Sequence, residues 1–441
     1  MPSSSTKPCP AAAVAVVGAG PSGLAALKNL RELDISATAF ERGDDVGGNW
    51  HSEGPASSVY ESIHLISSKR QTEYVDFPMP DEYPPYPSRR QAHDYLRSYA
   101  DHFRLRDHIQ IGTQVERVAH DGQQWQVQIA GEPTPRQFSA VVIANGHHSE
   151  PLYPSFPGQF SGDILHSRQY KTPKVLSGRR VLVVGAGNSG CDIAVEAAQH
   201  ASVAFISMRR GYHFLPKFLR GKPIDVAGEA LHRWGFPLWL RRLIARGLIH
   251  VAVGPLQNYG LPKPDHKLFE SHPIVNSQLL YELGHGRLRV KPNISELCGQ
   301  DVKFSDGTQE EIDLIVYATG YKISFPFLDS SLVLDEHGRP KLYLNAFHPQ
   351  HDDLFVAGLI QPDSGLWGLA DLQCRIMARY LAGLRHDSDS VAWFKRLKSA
   401  GRIELGQGVR YLDSPRHALE VEYYSYRQRL LKLLRRFGDR I

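Results

Sequence analysis

Two copies of a glycine fingerprint, Gly18-Ala19-Gly20-Pro21-Ser22-Gly23 and Gly185-Ala186-Gly187-Asn188-Ser189-Gly190, lie on one chain, and each directly follows a short apolar run. The pattern leaves little freedom of fold, because it demands a strand, a tight turn and a helix in immediate succession. Val14-Ala15-Val16-Val17 and Val181-Leu182-Val183-Val184 read as buried strands, and Leu24-Ala25-Ala26-Leu27 and Ile193-Ala194-Val195 read as the helices that follow. In such a unit the first glycine allows the turn, the second lets a pyrophosphate approach the backbone, and the third lets helix and strand pack closely. The phosphates then sit at the helix N-terminus, where amide donors and the helix dipole favour an anion. The chain is therefore expected to be α/β, with two Rossmann-like dinucleotide-binding domains and two nucleotide cofactors.

The strands after the two turns end differently. Ala37-Thr38-Ala39-Phe40 ends at Glu41, where a carboxylate can accept hydrogen bonds from a ribose hydroxyl pair, so the first unit favours an unphosphorylated adenosine ribose, as in FAD. Ser202-Val203-Ala204-Phe205-Ile206 runs instead into Ser207-Met208-Arg209-Arg210, and an arginine there can pair with a 2′-phosphate. The second unit should prefer NADPH over NADH. Which of Arg209 and Arg210 meets the phosphate stays open at this level.

Two later apolar strands end in small residues, Val141-Val142-Ile143-Ala144-Asn145-Gly146 and Leu314-Ile315-Val316-Tyr317-Ala318-Thr319-Gly320. Each is expected to return the chain to a sheet edge near its cofactor. The first return precedes the second fingerprint, which implies an NADPH domain inserted into the FAD domain. The expected division is 11–171 for the first part of the FAD domain, 172–320 for the NADPH domain, and 321–441 for the return to the FAD domain with C-terminal helices. Residues up to about 10 are Ser/Pro-rich and expected to be disordered.

At 441 residues with a formal charge of +5, the chain shows no run of basic residues interleaved with aromatics, so nucleic acid is not an expected partner. Cys9, Cys191, Cys298 and Cys374 are scattered, with no CxxC pair and no zinc spacing. That argues for a reducing compartment, read as the cytoplasm, and against both a metal centre and a dithiol active site. The N-terminal apolar stretch lacks a charged leader and reads as the first strand, not a signal peptide.

Between the fingerprints lies Phe160-Ser161-Gly162-Asp163-Ile164-Leu165-His166-Ser167-Arg168-Gln169-Tyr170, an FxGxxxHxxxY pattern, and here the chain resembles the flavin-containing monooxygenases. Glu41-Arg42 followed by Gly47-Gly48-Asn49-Trp50, the Asp76-Phe77-Pro78 segment, Gly187-Asn188-Ser189-Gly190-Cys191-Asp192-Ile193-Ala194 and Ala318-Thr319-Gly320-Tyr321 extend the resemblance over roughly residues 12 to 385. It implies an enzyme in which NADPH reduces FAD, the reduced flavin captures O₂ as a C4a-hydroperoxide, and a nitrogen or sulfur atom of a small molecule is oxygenated. The cofactor-binding set it implies comprises Gly18, Gly20, Pro21, Ser22, Gly23, Glu41, Arg42, Gly48, Asn49, Trp50 and Val115 for FAD. For NADPH it comprises Gly185, Gly187, Asn188, Ser189, Gly190, Arg209, Arg210, Ala318, Thr319 and Gly320. Related Baeyer–Villiger enzymes usually carry Trp at Tyr170, which favours heteroatom oxygenation; carbonyl-directed oxygenation, an uncoupled NADPH oxidase and a nucleotide-binding sensor remain the alternatives. A disulfide reductase would need a redox cysteine pair, which is missing.

In the family His166 organises the linker between the nucleotide domains. One departure concerns the segment His64-Leu65-Ile66-Ser67-Ser68-Lys69, where many members place an asparagine beside the flavin. It aligns with Ile66, which cannot donate a hydrogen bond, so Ser67 replaces it or the enzyme leaks peroxide. Ser67 and Asn188 are the candidate catalytic residues. The apolar stretch Leu231 to Leu256 is interrupted by four arginines and reads as an amphipathic helix or substrate lid. The basic segment Arg429 to Phe437 is expected to dock on its own domain, with a weak peripheral membrane contact left open. His147-His148 read as loop residues. A small-molecule substrate and O₂ are the expected partners, and a homodimer is compatible with the sequence.

Overall fold

The computed structural model describes residues 13–386, 388–406, 408–412 and 417–439. The Ser/Pro-rich first ten residues, with Cys9, lie outside them. Ten strands build two parallel sheets: β1 (Val14–Val17), β2 (Ala37–Phe40), β3 (Ile109–Gln110), β4 (Ala140–Ile143), β5 (Asp163–His166), β6 (Arg180–Val184), β7 (Val203–Ser207), β8 (Leu288–Lys291), β9 (Leu314–Tyr317) and β10 (Leu354–Val356). The first sheet has the order β10-β4-β1-β2-β3 and the second β5-β9-β6-β7-β8. Each fingerprint strand is therefore central, with β1 in register so that Val14 faces Ala37 and Ala140, and β6 so that Val181 faces Ala204 and Leu314.

A central parallel strand is covered on both faces, and the side-chain period of two sends successive residues to opposite sides. Val14 and Val16 enter the core shared with the helices, whereas Ala15 and Val17 enter a second core beneath a three-stranded antiparallel sheet of residues 115–138. Val181 and Val183 likewise separate from Leu182 and Val184. All eight residues are at most 6 % exposed, which is why these runs carry no polar position.

The return strands are not at the edges. β4 lies between β10 and β1, and β9 between β5 and β6. Their position follows from what comes after: β10 pairs with β4, bringing the C-terminal part back to the first sheet, and β5 pairs with β9. Residues 158–166 thus already belong to strands of the second half, since Gly158–Phe160 also pairs with the strand Ile294–Gly299.

Seven helices matter for the site: α1 (Pro21–Arg31), α2 (Arg89–His102), α3 (Asn188–His200), α4 (Ile224–Arg233), α5 (Leu238–Val253), α6 (Trp367–Leu384) and α7 (Tyr423–Arg436). The interrupted apolar stretch is the pair α4 and α5, broken by Gly235 to Pro237. Among the described residues no helix is long and apolar enough to cross a membrane. The basic C-terminal segment is the second half of α7, which packs on α6. Its apolar stripe is spent on this contact, with Leu430 and Leu434 fully buried and Leu431 and Leu433 nearly so. Arg375 and Arg379 on α6 both reach Asp439 just past the end of α7.

Leu434→Ala removes a fully buried side chain from this contact. It should destabilise the protein by about 2–5 kcal/mol, read as a lower urea midpoint with unchanged slope.

Candidate cofactor and substrate site

The two glycine turns open onto one cavity of about 1210 Å³. A single small-molecule pocket is typically roughly 300–1,000 Å³, so the space accommodates more than one ligand. On its first side lie Gly18, Gly20, Pro21 and Ser22 at the start of α1, Glu41 and Arg42 after β2, the turn Gly48-Asn49-Trp50, and Val115. On its second side lie Gly185, Gly187, Asn188, Ser189 and Gly190 at the start of α3, Arg209 after β7, and Ala318-Thr319-Gly320 after β9. Ser67 faces the same space. Gly23 and Arg210 do not line it.

Gly23 has a different task. A Cβ there would come within 1.9 Å of the Gly18 carbonyl oxygen, and at Gly190 within 2.0 Å of the Gly185 carbonyl oxygen, so both residues are fixed by turn-to-helix packing. Gly20 is the N-cap of α1 with φ −72° and no side-chain capping bond, a conformation open to any residue. Its nearest neighbour to an added Cβ is Gly48 Cα at 3.5 Å, ordinary contact. The protein itself has room at Gly20; an anion drawn to the uncapped amides of α1 does not. The second turn repeats this arrangement, with Gly187 as an uncapped N-cap at φ −74°.

Charge distinguishes the two sides. Glu41 is buried, and its carboxylate accepts from the Ala19 and Gly43 amides, each at 2.8 Å. Two oxygens offer about four lone-pair sites, so acceptor capacity remains for a ribose. At the second turn Arg209 is exposed toward the cavity and forms no ion pair among the described residues, whereas Arg210 is turned away, its guanidinium paired with Asp265 at 3.0 Å. Of the two expected arginines only Arg209 is placed to meet a ligand; Arg210 is held off by its carboxylate.

Other groups hold the walls. Asn188 Oδ1 accepts from the Val275 amide at 2.9 Å, so whatever this residue offers a ligand comes from Nδ2. His166 Nδ1 accepts from the Arg168 amide, which leaves Nε2 to donate to the Gly320 carbonyl at 3.1 Å. Burial lowers its pKa, and the neutral ring ties the segment entering the second sheet to the Ala318-Thr319-Gly320 turn. His147 and His148 line the cavity, and desolvation pushes the half-buried His147 well down. Among the described residues no cluster of three or more His, Cys, Asp or Glu could hold a metal.

Ile66 and Ser67 both face the cavity. The segment carrying them is latched to the lid: the Ser68 amide donates to Asp225 on α4 at 2.6 Å, and Gln71 Nε2 donates to Glu229 at 2.9 Å. The inner face of α5 adds Leu238, Arg241, Ala245, Leu248 and Ile249 to the lining, while Trp239, Leu243 and Val251 face outward. Sequence reading missed Asp225, His147, His148, Asp363, Tyr411 and Tyr424 as cavity residues. Asp225 lies just before the apolar stretch, Asp363 and Tyr411 lie in connections around α6 and α7, and Tyr424 is in the first turn of α7.

Replacing the two glycines should separate their roles. Gly23→Ala should cost at least ~1–3 kcal/mol of stability from overpacking, whereas Gly20→Ala should stay within about 1 kcal/mol of the parent, both read by denaturant unfolding of the cofactor-stripped protein.

Residues 11–435 match the family described as flavin-binding monooxygenase-like. Flavin-containing monooxygenase 5 of Rattus norvegicus is 33% identical over 96% of this chain and 82% of its own length. Flavin-containing monooxygenase 2 of Homo sapiens is 38% identical over 84% of this chain and 73% of its own. Among solved structures, S-allyl-L-cysteine S-oxygenase from Allium sativum superposes with a TM-score of 0.67 at 21% identity, covering 97% of this chain and 89% of that one. The closed form of cyclohexanone monooxygenase gives 0.69 at 17% identity, covering 96% and 97%. The chain thus belongs to the flavin-binding monooxygenase family and is an FAD- and NADPH-dependent oxidoreductase.

Proposed function

We propose that the enzyme oxygenates a nitrogen or sulfur atom of a small molecule, with FAD held at the first turn and NADPH at the second. The observation that carries this reading is the pairing of a ribose-type carboxylate, Glu41, with an unengaged guanidinium, Arg209, on opposite sides of one cavity. The relatives support the choice of atom, since one is named an N-oxide-forming dimethylaniline monooxygenase and one fold neighbour an S-oxygenase. FAD reduced by NADPH would supply the two electrons that activate O₂, which gives one oxygen atom to the substrate and the other to water.

The protein supplies position and dryness. The uncapped amides of α1 and α3 hold the two pyrophosphates, Glu41 accepts from the flavin-side ribose, and Arg209 pairs with the 2′-phosphate. Ser67 and the Nδ2 of Asn188 are the polar groups at the chemistry. The largely apolar inner face of α5, on a lid latched through Asp225 of α4, excludes water that would otherwise release peroxide. We assign the NADPH-binding unit to residues 158–320 in place of 172–320, because residues 158–166 pair with its strands. The scattered cysteines support a cytoplasmic location.

The direct test follows NADPH consumption, peroxide and product with dimethylaniline, methyl phenyl sulfide and a ketone. An N-oxide and a sulfoxide are expected; an ester from the ketone alone would reassign the chemistry to carbonyls, and peroxide equal to NADPH consumed would leave an oxidase. Ile66→Asn should lower the peroxide released per NADPH if the missing amide causes leakage. An unchanged ratio in a folded, fully flavinylated variant assigns that protection to Ser67 or the bound nucleotide.

Arg209→Ala should raise KM for NADPH about tenfold to a hundredfold, the equivalent of roughly 1.5–3 kcal/mol for a charge-assisted hydrogen bond, and leave NADH kinetics nearly unchanged. Arg210→Ala should do much less, because its partner is Asp265.

A further inference from the structure

One part of the cavity wall carries a group of ionisable side chains outside the residues assigned to either cofactor. Asp363 opens onto the cavity, and its Oδ1 accepts from the Tyr423 amide at 2.9 Å. Glu422 caps α7, with Oε2 accepting from the Ser425 amide at 2.8 Å and Oε1 lying 2.7 Å from His232 Nε2 and 3.4 Å from Arg241. Burial pushes Glu422 up, but the hydrogen bonds from His232 and Ser425 outweigh it and hold its pKa low. Glu422 is a matched charge.

Glu420 is not matched. It is 5 % exposed, its Oε2 meets His272 Nδ1 at 3.4 Å, and its Oε1 is buried with no hydrogen-bond partner among the described residues. His272 itself lines the cavity, so the orphaned carboxylate sits immediately behind the wall that Asp363 faces. Desolvation at the cavity wall, then Glu422 and Glu420, push the Asp363 carboxyl up. Among the described residues Arg241, His232 and His272 are the basic groups in contact with these carboxylates, and Arg241 is committed to Glu422. Buried anionic oxygens without a donor are costly, and the deficit here is of positive charge. Tyr411 and Tyr424 line the same cavity, and aromatic faces attract cations.

We propose that this part of the cavity binds a cationic group of the substrate, an ammonium or guanidinium distinct from the nitrogen or sulfur that is oxygenated, against Asp363, with the Glu420 carboxylate behind His272 adding to the attraction. The inference rests on the oxygenation reading of the cavity. It makes the preferred substrate a small thioether or tertiary amine with a second, charged end.

A pair of isosteric probes separates charge from shape: 2-(methylthio)ethyl-trimethylammonium and its uncharged carbon analogue, 3,3-dimethylbutyl methyl sulfide. Titration calorimetry on the FAD- and NADP⁺-loaded enzyme should show the cation binding about tenfold more tightly than the analogue. Asp363→Asn, which keeps the acceptor for Tyr423, and Glu420→Gln should each move that ratio toward one. Equal affinities in the parent, or a ratio unchanged in both variants, would overturn the proposal. If Asp363→Asn fails to fold, the parent ratio and Glu420→Gln decide. Sulfoxide formation is scored separately: cation preference without sulfoxide defeats the oxygenation reading and keeps the cation site, and sulfoxide without preference does the reverse.

Discussion

Everything in this molecule depends on how closely a helix can approach the turn before it. At Gly23 and Gly190 a single added carbon would meet a backbone oxygen at about 2 Å, so the absence of a side chain lets α1 and α3 lie against their turns. That approach aims the uncapped amides of each helix into the cavity, and it brings Ala144 and Ala318, at the ends of β4 and β9, up against the same turns. The cofactor sites, the return strands and the space between the sheets all follow from one steric condition met twice.

On this repeated frame the two halves differ by electrostatics. A buried carboxylate already satisfied by two backbone amides closes the first unit; an unengaged guanidinium closes the second. Asp265 draws Arg210 out of the site and leaves one cation where the sequence offers two.

The frame was legible in the sequence because it is written locally. A fully apolar four-residue strand, three spaced glycines and the residue ending the next strand are each decided within a few positions, and their meaning does not depend on distant contacts. The central placement of β4 and β9 was not legible, since it is fixed by β10 and β5, which join from far along the chain. Arg209 and Arg210 could not be told apart for the same reason: the difference is Asp265, some 55 residues away. The acidic part of the cavity wall, assembled from α5, α7 and the connection at Asp363, was invisible to any local pattern.

The lid has one further consequence. α4 and α5 lie in the connection between β7 and β8, and these strands are direct neighbours in the second sheet. The excursion therefore leaves and re-enters the sheet at adjacent positions, and neither glycine turn lies within it. Its length and lining can change without shifting the register of a cofactor-bearing strand. Arg209 stands at the very start of the excursion, so a segment exchanged beyond that residue and before β8 would replace the lid and leave both glycine turns and the arginine in place.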